Sequence, residues 1–258
     1  MHALIVLAHP EQRSFNAYLA ELARQAWGVQ GHDATVLDLY AEDFEPREAS
    51  WHYSSLKSGE KFDPMQEQRH HWSSNTLPPV VAQHIELLQK SDALILQFPF
   101  WWFGMPAIMK GWMDRVFVYG GLYRSQHRYE SGVMRGKKAL IVSTAGSSAQ
   151  ACAPDGRDGD MRLLLWPVMH ALHYLGFTVL EPYLIHGVRG GLSGKEAQQQ
   201  RHFLEQRAID YRVRLQHWST WPSIPFNHGD DFTDGVSLKP DAPVYSPFVR
   251  HRLGDESR

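Results

Sequence analysis

The chain has one cysteine, Cys152, among 258 residues. No disulfide can form within it, so its stability must come from a packed core. No apolar run reaches the roughly 18 residues that a membrane-spanning helix needs. The opening MHALIVLAHPE carries no basic stretch ahead of its short apolar run, which does not fit a secretory leader. An excess of one charge is also missing. Twenty-six Lys and Arg stand against 28 Asp and Glu, a formal net charge of −2, which argues against nucleic acid or an anionic membrane as partner. G-x-G-x-x-G does not occur. GGLSGKE (190–196) is not a phosphate loop, because Arg189 stands in place of the first glycine and Glu196 in place of Ser or Thr. These absences leave a cytoplasmic, globular protein without membrane insertion as the expectation.

What is present is alternation. ALIVLA (3–8), ATVLDL (34–39), DALILQF (92–98), KKALIVST (137–144) and FTVLEPYLI (177–185) are aliphatic, largely β-branched runs of strand length. Between them lie helical patterns at 14–31, 78–91, 106–117 and 160–176, the last containing Pro167, and a long amphipathic one at 193–218. Five strands alternating with helices predict an α/β doubly wound parallel sheet in one domain over 1–218. Residues 44–77 show no clear period and are far longer than an ordinary α/β connection, so they read as a functional excursion. Residues 219–258 hold five of the 15 prolines and read as an extended C-terminal tail.

Ligands of such sheets bind beyond the carboxyl ends of the strands, where strand order reverses. Three loops fall there: HPEQRS (9–14), PFWWFGM (99–105) and AGSSAQ (145–150). The first leads into a helix N-terminus that suits a phosphate, with His9 as an added donor and Ser14 either a ligand contact or a plain N-cap. The last is made of small residues that admit a ligand to the backbone. The middle one carries Phe100, Trp101, Trp102 and Phe103, either core filling or a face for a planar heteroaromatic ring. Phosphate plus a large planar ring describes a flavin nucleotide. His170 and His173 lie three apart on a helical pattern with no third metal ligand nearby, so no metal site is expected.

ALIVLAHPEQRSFN (3–16), AEDFEP (41–46), QFPFWWFGMPAIMKGWMDRVF (97–117), GDMRLLLWP (159–167) and GFTVLEP (176–182) resemble, in this order, the NAD(P)H:quinone oxidoreductases of the DT-diaphorase type. These belong to the flavodoxin-like superfamily. The resemblance implies a sheet of order 2-1-3-4-5, a bound FAD rather than FMN, NAD(P)H as co-substrate, and a homodimer with active sites at the interface. It also implies two-electron, ping-pong hydride transfer from the nicotinamide through the flavin to a small-molecule quinone. Carried over, His9, Ser14, Phe15 and Asn16 hold the phosphate and ribityl portion. Pro99, Phe100, Trp101, Trp102 and Phe103 line the ring, and Ser143, Thr144, Ala145 and Gly146 form the opposite wall. Arg201 meets the adenine end. Tyr123, a catalytic residue by the same resemblance, lines the substrate pocket with Trp102 and with Tyr174, which corresponds to an aromatic contributed by the neighbouring subunit.

The departures from the family are local. Its charge-stabilising tyrosine falls on Ala151 or Cys152, its histidine on Asp158, and a second pocket tyrosine on Ser125. Arg157, or helix amides near Asp160, is expected to replace the missing pair. These losses also leave open a flavin-binding regulatory subunit of a membrane transporter, such as a potassium-efflux system.

Overall fold

The computed structural model describes residues 1–57, 59 and 61–252. The sheet is built from β1 (His2–Leu7), β2 (Asp33–Asp38), β3 (Ala93–Pro99) and β4 (Lys138–Thr144), with β5 (Thr178–Val179) and β6 (Tyr183–Ile185) both lying on β4. The order is β2-β1-β3-β4-β5, every pair parallel, which is the doubly wound topology expected. The continuous apolar runs are explained by burial on both faces. Leu4, Val6, Leu94, Leu96 and Ile141 point to one core with Trp112 and Val116, while Ala3, Ile5, Ile95, Leu140 and Val142 point to another with Leu19, Trp27 and Tyr211.

The helices are α1 (Phe15–Val29), α2 (Pro64–Ser73), α3 (Pro79–Lys90), α4 (Ala107–Val116), α5 (Met161–Leu164), α6 (Trp166–Tyr174) and α7 (Gly194–Gln216). Four expectations are corrected. The run 177–185 is two strands rather than one, because Glu181 turns its N–H to Pro222 O at 2.8 Å and Pro182 has none to give the ladder. Residues 160–176 form two helices, with Pro167 in the first turn of α6, where its missing N–H costs nothing. The helix at 193–218 is amphipathic only at its end, where Ala208, Tyr211 and Leu215 are buried.

The fourth correction is α2, inside a segment without apolar period. Its buried face is Glu67, Gln68 and His71, so burial there is by hydrogen bonding. Gln68 Nε2 donates to Asp114 O at 3.1 Å and its Oε1 accepts from Tyr119 N at 3.1 Å. Glu67 accepts from Lys57 N at 2.9 Å. Arg115, 2% exposed, donates from Nη1 to Glu45 O at 2.6 Å and lies 3.7 Å from the Glu48 carboxylate. Burial lowers the Arg115 pKa and raises that of Glu48. The excursion is thereby fastened to α4 and the turn after it.

The tail folds back on its own chain. Trp218 and Trp221 are buried. Phe226 stacks on His173 at 4.2 Å and Phe248 on Trp166 at 4.9 Å. A hairpin of β7 (Phe232–Thr233) and β8 (Ser237–Leu238) follows Phe226.

Candidate functional site

The first turn of α1 and the ends of β3 and β4 are locked together by one buried side chain. Asn16 donates from Nδ2 to Thr144 Oγ1 at 2.8 Å and accepts from Gln97 Nε2 at 2.7 Å. Phe100 N donates to Thr144 O at 2.8 Å, carrying the β3–β4 ladder past the strand ends, and Ala145 N donates to Ile185 O at 2.8 Å. The Asn16 side chain is thus committed to the protein, not presented to a ligand. Ser14 proves to be the N-cap, its hydroxyl accepting from Ala17 N at 3.1 Å. Phe15 and Asn16 keep backbone N–H groups with no partner among the described residues, at the positive end of a 15-residue helix. His9 lies in the loop that leads into this helix, its Nδ1 accepting from Glu11 N at 3.0 Å and its ring 5.9 Å from that of Trp101.

The ring cluster divides. Phe98 is fully buried and Phe100 packs against the core. Trp101 and Gly104 exchange both backbone hydrogen bonds, at 3.0 Å each, closing a two-residue turn over Trp102 and Phe103. Both turn residues are left-handed, with φ of 48° and 62°. Asn-Gly is the usual occupant of such a turn. A tryptophan and a phenylalanine each cost about 1–2 kcal/mol there, yet Trp102 is 95% exposed. Core filling therefore does not explain Trp102. The turn spends conformational strain to present a large apolar ring to solvent, a pattern that accompanies ligand and interface sites.

Ser143 is wholly buried, and its Oγ finds no partner among the described residues. Ala145 is buried, and Gly146 borders a groove shared with Ser148, His186, Gln200 and Arg207. Arg201 lies in a separate shallow groove with Gly194, Gln198, His202 and Glu205. No described contact brings it to the three loops.

Tyr123 and Tyr174 meet edge to face at 5.7 Å on one chain. If Tyr174 serves a neighbouring subunit, Tyr123 goes with it. Sequence reasoning missed their companions Tyr119, 5.4 Å from Tyr123, and Tyr129, 5.1 Å from Tyr174. The Tyr-Arg-Ser-Gln-His-Arg-Tyr run at 123–129 was the available signal. Burial raises the pKa of Tyr123 and Tyr129. Among the described residues no ring contact joins this cluster to Trp101–Phe103.

The 149–160 segment is a folded loop. Cys152 N donates to Ser148 O at 3.1 Å and Asp158 N to Ala151 O at 2.9 Å. Cys152 is buried, and burial, then the Asp158 charge, pushes its thiol up. Asp160 caps α5 by accepting from Arg162 N at 2.9 Å, and Met161 N is taken by Cys152 O. Arg157 is exposed, with no ion pair among the described residues.

The flavodoxin-like fold family matches residues 1–208. The ribosyldihydronicotinamide dehydrogenase (quinone) of Pongo abelii is 40% identical over 183 residues, 70% of this chain and 79% of that protein. The NAD(P)H dehydrogenase (quinone) 1 of Cavia porcellus is 39% identical over 188 residues, 72% of this chain and 68% of that one. A solved structure, of a Klebsiella pneumoniae protein assigned as a quinone reductase, superposes with a TM-score of 0.82 at 30% identity, covering 93% of this chain and 94% of the other. No described helix is long and apolar enough to cross a membrane. With its sheet order, its strained aromatic turn and these relatives, the chain belongs to the flavodoxin-like fold family and, within it, to the quinone oxidoreductases.

Proposed function

We propose that this protein reduces quinones with electrons from NAD(P)H, through a bound FAD, in a ping-pong cycle at two equivalent sites of a homodimer. The observation that carries the reading is the turn at Trp101–Gly104, which is strained at Trp102 and Phe103, exposes both of their rings, and sets the Trp101 ring 5.9 Å from that of His9, in the loop that leads to the open N-terminus of α1. Those residues fit a flavin: amides for phosphate, ring faces for the isoalloxazine, and the orphaned Ser143 hydroxyl as a further polar group on the β4 wall. When bound, the flavin supplies two-electron hydride chemistry, and the protein supplies position and electrostatics.

The chain's own residues then have separable tasks. The Phe15 and Asn16 amides with His9 bind the phosphate end. Trp101, Trp102 and Phe103 wall one side and exclude water. Tyr123 and Tyr174 line the place where nicotinamide and quinone alternate. Burial keeps the Tyr123 phenol protonated, so it can donate to a quinone oxygen. Because the tyrosines make no described contact with the Trp102 turn, a second copy is the natural way to bring the two halves together, and it also covers Trp102. FAD rather than FMN follows from the family resemblance. Nothing favours the transporter-subunit alternative.

The test is the absorbance spectrum of the purified protein, chromatography of the heat-released cofactor against FAD and FMN, and benzoquinone reduction with excess NADPH. A yellow protein releasing FAD and turning over is expected. A protein that takes up neither flavin sinks the proposal.

A further inference from the structure

Beside the tyrosine cluster lies a second recess, of about 610 Å³, walled by Arg69, Trp72, Tyr119, Gly120, Arg124 and His127. Two glycines make it possible. Gly120 has φ of +89°, and a Cβ there would stand 3.1 Å from Arg69 Cγ. A Cβ on Gly121 would lie 2.7 Å from Trp72 Cδ2. Without side chains at 120 and 121, α2 can press its arginine stem and its indole against the turn that leads to Tyr123.

The recess is basic and its charges are free. Arg124 Nε donates to Gly120 O at 2.7 Å, which fixes the guanidinium and leaves both terminal amino groups without a partner among the described residues. Arg69 has no ion pair among them either. His127 is held opposite Arg124 by a backbone bond, His127 N to Arg124 O at 3.0 Å. No acidic residue lines the recess. Its floor is aromatic, and Tyr119 links it to Tyr123 at 5.4 Å. Two forked cations in one recess with the rings of Trp72 and Tyr119 suit a phosphorylated nucleoside, the phosphates on the guanidiniums and the base against a ring.

We infer that this recess binds the adenosine diphosphate half of a pyridine dinucleotide whose nicotinamide sits against Tyr123 and Tyr174. The inference rests on the proposed function and sharpens it. It names Arg69 and Arg124 as the residues that select a dinucleotide donor over a phosphate-free ribosyldihydronicotinamide, a distinction on which the chain's two named curated relatives differ.

The probe is 5′-ADP, titrated calorimetrically into the flavin-loaded protein and into an Arg69→Ala/Arg124→Ala double variant. Loss of two charge-assisted contacts should weaken binding about tenfold or more, and Arg124→Lys should lose less than Arg124→Ala. In turnover, the double variant should lower the ratio of kcat/KM for NADPH to kcat/KM for N-ribosyldihydronicotinamide by about the same factor. Equal ADP affinity in both proteins, or an unchanged donor ratio, overturns the inference. Displacement of ADP by inorganic phosphate at matched concentration also overturns it, since that marks a bare anion site. If the wild type reduces no quinone with either donor, the proposed function fails, and the ADP titration still decides this recess.

Discussion

Asn16 and Thr144, 128 residues apart in the chain, are joined by a 2.8 Å side-chain hydrogen bond at 3% and 4% exposure. The bond ties the first turn of α1 to the end of β4, and the Gln97 amide on Asn16 adds the end of β3. The three loops of the site therefore share one polar anchor. Asn16→Leu should leave the Gln97 and Thr144 groups buried and unpaired, at a cost of about 1–3 kcal/mol. Urea denaturation of the apoprotein checks this. An unchanged midpoint would show that the anchor relaxes without loss.

Trp102 gives the opposite sign. At φ 48° and 95% exposure, it contributes strain and almost no burial to the isolated chain. Trp102→Gly should raise apoprotein stability by about 1 kcal/mol while weakening flavin retention and quinone turnover together. Trp102→Ala should damage retention and turnover without the gain in stability. Full flavin retention in both variants would remove Trp102 from the site.

The contrast marks what the sequence shows and what it hides. The strands are legible because both faces of the sheet are buried, so runs such as Ala3–Ala8 are uninterrupted. Helix α2 is not, because Glu67, Gln68 and His71 take the buried positions where a periodicity search expects aliphatics. Only Asp63 as cap and Pro64 in the first turn announce it. In the aromatic run, nothing in the letters separates buried Phe98 from exposed Trp102. The left-handed turn makes that division, and it depends on hydrogen bonds between Trp101 and Gly104. The pairing of Tyr123 with Tyr174 needs the tertiary fold outright.

A pH dependence follows from the tail. Burial, aided by nearby His170 and opposed by Glu130, lowers His173 from 6.5 to about 4. The unfolded chain takes up a proton below pH 6.5 that the folded one refuses until about pH 4. Stability is therefore full above pH 6.5 and lost as pH falls toward 4, by about 1–2 kcal/mol after solvent screening. His173→Phe keeps a ring against Phe226 and should flatten this part of the curve. Thermal melts of both proteins from pH 7 to 4.5 measure it. Parallel curves would assign the acid loss elsewhere.

At the positions where the resemblance implies a charge-stabilising tyrosine and histidine, this chain has Ala151 or Cys152 and Asp158. Negative charge that builds up at the β4 wall during the reaction needs a donor or cation there. Of the two expected substitutes, the α5 amides are the weaker, because Arg162 N is held by Asp160 and Met161 N by Cys152. Arg157 remains, exposed and without an ion pair among the described residues. Asp158 acts inward, where its charge helps hold the buried Cys152 thiol up. Arg157→Ala should slow NADPH-driven flavin reduction about tenfold, the scale of one lost charge-assisted hydrogen bond. Arg157→Lys should recover part of the rate, and Asp158→Ala should change it little. Rapid mixing under anaerobic conditions resolves the step. A crippled Asp158→Ala beside a normal Arg157→Ala would reverse the assignment and give the carboxylate a part in proton transfer.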